Sequence, residues 1–103
     1  MGYNKKALSE AIDFHGHLGP YLVLGLLMGK YALKNLKAEK YFGLTIKVKG
    51  AYTKPESCLI DGLQLSTGAT FGKGNIKKLQ GRYIQVFFCK GGLYLGGRNS
   101  KVV

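Results

Sequence analysis

Apolar residues recur at helical spacing in the first part of the chain. Between residues 4 and 13 they form one stripe, which predicts a short amphipathic helix with Asn4 as its N-cap. A second helix is predicted from Pro20 to about Lys37, because proline suits the first turn of a helix and Gly19 before it can serve as the cap. The segment between these two helices contains His15, Gly16 and His17.

The second predicted helix has two unusual features. Its first half, residues 21–28, is apolar on all sides, which predicts a place in the core or in a subunit interface. Gly25 and Gly29 lie one turn apart, and glycines at that spacing lower helix propensity unless another backbone packs closely against them. We therefore expect a partner helix to approach this surface.

The rest of the chain mixes strand and helix patterns. Strict alternation between residues 44 and 52 predicts a half-buried strand with Leu44, Ile46 and Val48 on its inner face. Residues 58–67 have apolar positions at helical spacing, which predicts a third helix ending at Gly68. Residues 82–89, a turn at residues 91–92 and the following apolar residues predict a β-hairpin.

These elements together predict an α+β fold. The helices come first, and no regular βαβ alternation follows, so we expect N-terminal helices packed on a mainly antiparallel sheet. A chain of 103 residues is long enough for one hydrophobic core and too short for two, so residues 1–103 are expected to form a single domain. The chain is 46% hydrophobic, which argues against intrinsic disorder.

The charge is strongly positive, with a formal net charge of +11. Nucleic acid, a small anionic ligand or an acidic protein are all compatible partners, but the lysines are scattered, which favours a solvated surface. The aromatic residues are not interleaved with basic ones in an RNA-binding pattern, and this makes nucleic acid the less favoured partner. A non-enzymatic basic module that docks on an acidic protein or nucleic acid remains the alternative function.

The location of the protein is expected to be cytoplasmic. Cys58 and Cys89 cannot form a disulfide framework, and no stretch has the organisation of a secretory signal. The longest uncharged apolar run, residues 18–28, is shorter than the roughly 20 residues of a membrane helix. We expect no membrane association.

The candidate chemistry lies in two segments. A glycine between His15 and His17 lets an irregular backbone turn both rings toward one point, although the pair alone is a weak signal and many such histidines only cap or pack. Cys58 begins the third predicted helix, where the positive end of the helix dipole favours metal ligation or nucleophilic reactivity. Asp61, one turn later, can orient a ligand or accept a proton.

Two other features of the sequence are candidates for chemistry, namely Cys89 and the loop at residues 68–75. Cys89 ends an apolar strand and is expected to be a small core residue. The loop at residues 68–75 differs from a P-loop in its glycine spacing and has Gly74 where a magnesium-binding hydroxyl is needed. Its backbone N–H groups and Lys73 could still hold a small anion, and a plain turn is the other interpretation.

Two blocks of the sequence resemble the FmdE family of proteins associated with formylmethanofuran dehydrogenase. The first block is FHGHLGP at residues 14–20, and the second is CLIDGLQLSTGATFGKGN at residues 58–75. The resemblance implies a compact α+β core domain that forms homodimers, in which the histidine and cysteine blocks meet at a metal-binding active site. The resemblance also implies a C-terminal zinc finger in longer family members, and we expect none here because the sequence has no Cys-x-x-Cys pair. The first block in the family often has a cysteine where this chain has Gly19.

From these observations we expect a metal-binding accessory protein of formylmethanofuran (one-carbon) metabolism, with other subunits of a dehydrogenase complex as further partners. His15, His17 and Cys58 would bind zinc or a similar divalent ion and leave one position open. The candidate catalytic residues are Cys58, Asp61 and Lys73, and the candidate cofactor-binding residues are Thr67 and Lys73. A structural interpretation also stays open, in which the histidines and Cys58 only cap and pack.

Overall fold

The structure is a computed structural model that describes residues 5–91 and 93–98. The described residues form three helices and four strands, in the order α1 (Lys5–His15), α2 (Pro20–Leu36), β1 (Thr45–Lys49), α3 (Cys58–Thr67), β2 (Ile76–Leu79), β3 (Gln85–Lys90) and β4 (Leu93–Arg98). The predicted helices and the C-terminal hairpin are thereby confirmed, although α1 extends to His15, two residues beyond its predicted end at residue 13. The predicted cap at Asn4 and the turn residue Gly92 lie outside the described residues.

The four strands form one mixed sheet in the order β2-β1-β3-β4. β3 runs antiparallel to both β1 and β4, whereas β2 runs parallel to β1. This arrangement confirms an α+β fold with a mainly antiparallel sheet. β2 was not predicted, because the sequence IKKL buries only Ile76 and therefore has no alternation to detect.

The inner face of the sheet carries the main core. Leu44, Ile46 and Val48 are buried, as predicted, and Ile46 lies beside Phe88 of β3 and Ile76 of β2. β1 is shorter than predicted, since Gly50 has a φ of +78° and ends the extended backbone directly after Lys49. Side chains of α2 and α3 complete this core, which fixes both helices on the sheet.

Cys89 is not a core residue, and that prediction is wrong. Side chains alternate along a strand, so the burial of Phe88 directs its neighbour Cys89 to the other face of β3. The thiol there is half-buried and donates to the carbonyl of Gly91 at 3.2 Å.

The close contact predicted at Gly25 and Gly29 is made by α3 of the same chain. A Cβ at Gly25 would lie 2.1 Å from the carbonyl oxygen of Leu59, and one at Gly62 would lie 2.3 Å from the carbonyl oxygen of Leu22. These distances leave no room for side chains at the crossing. Backbone contact therefore fixes the position of α3 on α2, and with it the position of Cys58 at the start of α3.

α1 packs on α2 and α3 rather than on the sheet. Ala11 of α1 joins Leu22 and Leu26 of α2 in a second buried cluster, with Leu8 and Leu65 partly buried against it. This packing places the last turn of α1, which contains His15, next to the first turn of α3. No helix within the described residues is long and apolar enough to cross a membrane.

Candidate metal centre

The two histidines are brought together by the end of α1. His15 is the last helical residue, and Gly16 follows with a φ of +105° and an N–H that donates to the carbonyl of Ile12 at 2.7 Å. A left-handed residue at this point reverses the chain direction, and glycine adopts that conformation without steric cost. The rings of His15 and His17 consequently lie 4.7 Å apart between centroids.

Cys58 meets the two histidines from the start of α3. The potential ligand atoms of His15, His17 and Cys58 all lie within 4.8 Å of one another. His15 and Cys58 are half-buried and His17 is exposed, so the cluster opens to solvent on the His17 side. The structure thus brings together the three residues predicted as metal ligands, and their role as ligands stays a prediction.

Asp61 holds the His15 ring in place through a hydrogen bond. His15 Nδ1–H donates to Asp61 Oδ2 at 2.6 Å, and the side chains are 10% and 34% exposed respectively. Because Nδ1 is used in this bond, Nε2 is the nitrogen left to face the cluster. A carboxylate in this position fixes the tautomer and orientation of a metal-ligating histidine.

His15 Nε2 is a buried nitrogen without a hydrogen-bond partner among the described residues. Unsatisfied buried polar atoms are uncommon in native structures, because each costs about 1–3 kcal/mol. His17 Nδ1 is occupied by the carbonyl of Leu18 at 3.2 Å, which leaves its Nε2 available as well. Both imidazoles therefore leave Nε2 available for one shared metal ion.

The donor set fits a zinc-type ion. Two imidazole nitrogens and one thiolate match the ligands of known zinc sites, and tetrahedral zinc with bonds of about 2.0–2.3 Å needs ligand atoms roughly 3.3–3.6 Å apart. The largest separation here is within 4.8 Å, so rotations that move the side chains by about 1 Å would suffice. Exposure of His17 permits such a rotation.

Gly19, where the resemblance noted in the sequence implies a cysteine, lies beside the cluster. Its backbone is extended, with a φ of −150°, and a Cβ there would be 3.3 Å from His17 Cε1. This chain therefore lacks a thiol at a position adjacent to the three candidate ligands.

Lys73 and Thr67 do not join the metal cluster. Thr67 ends α3 and Lys73 follows it, whereas Cys58 and Asp61 lie at its start, and ten helical residues span roughly 15 Å. Thr67 is buried, and its hydroxyl donates to the carbonyl of Leu63 at 2.6 Å while accepting from the Ala69 N–H. The combination of Lys73 with Cys58 in one site is therefore not supported, because the length of α3 separates them.

The loop after α3 does not present its backbone amides to an anion. Most N–H groups between residues 69 and 74 donate within the chain, to side-chain oxygens of Thr67, Asn75, Gln64 and Thr70 and to the carbonyl of Phe71. Of the two interpretations of this loop, its backbone hydrogen bonds favour the plain turn. Lys73 remains its one charged side chain, and its Nζ donates to the carbonyl of Gly68.

The structure also contains a pocket at the C-terminal end of α3, which was not predicted from the sequence. Its lining includes Lys30, Lys40 and Tyr41 together with Lys73, and it has a volume of about 670 Å³. The lysines are far apart in the sequence; Lys30 and Lys40 were interpreted as part of a solvated surface, and only Lys73 was predicted to hold an anion. No spacing rule could have connected them, because only the packing of α1, α2 and α3 brings them to one place.

Comparison with known proteins assigns the chain to a family. One relative, described as a probable S-adenosyl-L-methionine-binding protein from Archaeoglobus fulgidus, is 32% identical over 72 residues, which is 69% of this chain. The matched part is 20% of that relative's length. Residues 14–98 match the family described as FmdE, Molybdenum formylmethanofuran dehydrogenase operon. This stretch contains all three candidate ligands and both sequence blocks, and the chain belongs to the FmdE family.

Proposed function

We propose that this protein binds one zinc-type divalent ion through Nε2 of His15, Nε2 of His17 and Sγ of Cys58. The observation that carries the proposal is that His15 has a buried, unpartnered Nε2 and belongs to a group of two imidazoles and a thiol whose potential ligand atoms lie within 4.8 Å of one another. An interpretation in which these residues only pack or cap gives that nitrogen no partner. A bound cation would supply one.

Each residue of the cluster has a distinct task in this proposal. Asp61 holds His15 in one tautomer and orientation, so that Nε2 is presented without rearrangement. Cys58 supplies the charged ligand from the helix N-terminus, and His17 closes the site from its exposed side. A zinc-type ion held by three protein ligands would supply Lewis-acid chemistry at its open position.

The family assignment supports an accessory role in formylmethanofuran metabolism, and we propose the cytoplasm as its location. The family description names the formylmethanofuran dehydrogenase operon, and other subunits of such an enzyme are the partners we propose. Two cysteines in this chain are too few to hold an iron–sulfur cluster. S-adenosyl-L-methionine is not part of the proposal, because the shared segment is only a fifth of the relative that its description concerns.

Metal analysis of cysteine variants tests the proposal. We would purify the untagged protein without chelators and measure metals by elemental mass spectrometry in the wild type, Cys58→Ala and Cys89→Ala. We expect about one ion per chain in the wild type and its loss in Cys58→Ala, because two neutral imidazoles bind zinc far more weakly without the thiolate.

Cys89→Ala is the matched control, since it removes a thiol of similar exposure that lies on β3, outside the cluster. It should retain the metal content of the wild type. Circular dichroism of all three proteins separates loss of metal from loss of fold. Stoichiometric metal in a folded Cys58→Ala protein would refute the proposed ligand set, and so would a metal-free wild type that fails to take up added zinc.

A further inference from the structure

We propose that the pocket at the C-terminal end of α3 binds an anionic small molecule with a flat, apolar body. The pocket lies between the three helices and the turn that follows α2, and its volume of about 670 Å³ falls within the range of about 300–1,000 Å³ typical of ligand sites. It shares no residue with the histidine–cysteine cluster. The inference is therefore independent of the metal proposal.

The charge of the pocket selects an anion. Lys30, Lys40 and Lys73 line it, and Glu10 is the one acid among the lining residues. The lysines come from α2, from the turn after α2 and from the loop after α3, so three separate segments contribute positive charge to the lining. The ammonium groups of Lys40 and Lys73, which both lie 5.3 Å from the centre of the Tyr41 ring, attract a carboxylate, sulfonate or phosphate group.

The apolar part of the pocket selects the body of the ligand. Leu26, Leu33 and Leu65 line the pocket, and so does Tyr41. Lys40 and Lys73 each place their ammonium group 5.3 Å from the centre of the Tyr41 ring. A flat ligand could pack against Tyr41 while its anionic group reaches the same two lysines.

Tyr41 is held in a strained backbone conformation. It has a φ of +79°, which is rare for a residue with a side chain, and such strain is concentrated at functional sites. Its N–H donates to the carbonyl of Thr67 at 2.7 Å, and its carbonyl accepts from Asn75 Nδ2 at 3.0 Å. Gly68 makes this possible, since a Cβ there would lie 2.6 Å from the tyrosine ring.

Lys73 is held in place by two hydrogen bonds within the loop after α3. Thr70 Oγ1 accepts from the Lys73 N–H at 3.1 Å, and the Gly68 carbonyl accepts from its Nζ. An ammonium group has three N–H donors, so this bond orients the head group without exhausting it. Tyr41 and Lys73 are thus preorganised, which lowers the entropic cost of binding.

A pair of fluorescent probes tests the inference. Anilinonaphthalene sulfonate is a flat apolar body with one sulfonate, and phenylnaphthylamine is the same body without the anion. We expect the sulfonate to bind the wild-type protein and phenylnaphthylamine to bind at least tenfold more weakly, because a hydrogen bond to a charged group contributes about 1.5–3 kcal/mol. Fluorescence titration measures both affinities.

Lysine variants locate the binding. Lys73→Gln and Lys40→Gln should each weaken sulfonate binding about tenfold. Lys77→Gln removes the same charge from an exposed position on β2 and should leave binding unchanged. The Lys73→Gln variant loses the hydrogen bond to Gly68, which could disturb its fold. In that case Lys40→Gln still tests the inference. Equal binding of the two probes, or equal affinities in Lys40→Gln and Lys77→Gln, would overturn the inference.

Discussion

Asp61 is the residue on which the orientation of the candidate centre depends. Its carboxylate accepts the Nδ1–H of His15 at 2.6 Å and thereby leaves Nε2 as the potential ligand. Asp61→Asn keeps the size of the side chain but removes its charge and allows the amide to turn a donor toward the ring. We expect metal affinity to fall about tenfold to a hundredfold, measured by competition with a chromophoric chelator.

Glu39→Gln provides the control, because it removes one negative charge from an exposed position outside the cluster. Its metal affinity should equal that of the wild type. A similar loss in both variants would show that net charge, rather than the contact with His15, governs affinity.

For single residues, the sequence indicated which side chains could take part in a site. It did not indicate which neighbours would surround them. Asp61 could be predicted as a partner of the site because acids are few and it lies one turn after Cys58. The left-handed backbone of Tyr41 could not, because contacts with Thr67, Gly68 and Asn75 impose it from two other segments. Lys73 was placed with Cys58 because the motif is continuous in sequence, whereas the helix between them separates the two in space.

The crossing of α2 and α3 has no room for an added methyl group. Gly62→Ala would place its Cβ 2.3 Å from the carbonyl oxygen of Leu22, so the two helices would have to move apart. Overpacking of this kind costs about 3 kcal/mol of unfolding free energy. Urea denaturation followed by circular dichroism would measure the loss.

Gly72→Ala is the appropriate comparison, since its Cβ would meet only Thr70 Oγ1 at 3.8 Å and its backbone does not have a positive φ. We expect a change within about 0.5 kcal/mol there. Equal stabilities of Gly62→Ala and the wild type would mean that the crossing is less tight than described.

Element boundaries were predictable where the chain has strong local signals. Pro20 begins α2 and Gly68, with a φ of +79°, ends α3, and both conformations follow from the residue type. β2 gave no such signal, since its strand conformation comes from pairing with β1 rather than from its own pattern. The glycines of α2 correctly predicted a close neighbour, but not that α3 is that neighbour.

The homodimer predicted for the whole molecule stays a prediction, and the exposed side of α2 is where we would test it. Leu24 and Tyr31 lie seven residues apart on one helical face and are 41% and 46% exposed. Burial of this face between two copies would remove it from water. We expect Tyr31→Glu to convert a dimer to a monomer in sedimentation velocity, because each interface would then bury two carboxylates.

Tyr52→Glu is matched to this variant, since Tyr52 is also 46% exposed but lies outside the helices. It should sediment as the wild type does. A wild-type monomer at all accessible concentrations would refute the dimer, and dissociation by both variants would point to the added charge as the cause.

The mixed sheet leaves β2 at one end of the strand order, with one side unpaired by any described strand. An edge strand of this kind can pair with a strand of another chain, and proteins commonly place lysine on it to prevent such pairing. Lys77 and Lys78 make up half of this four-residue strand, and both are exposed. If β2 of a second copy paired in parallel with β2 of the first, the lysine ammonium groups of the two strands would lie next to each other. The protein should therefore resist fibril-like growth in dilute buffer, and concentrated salt, by screening that repulsion, should weaken the protection.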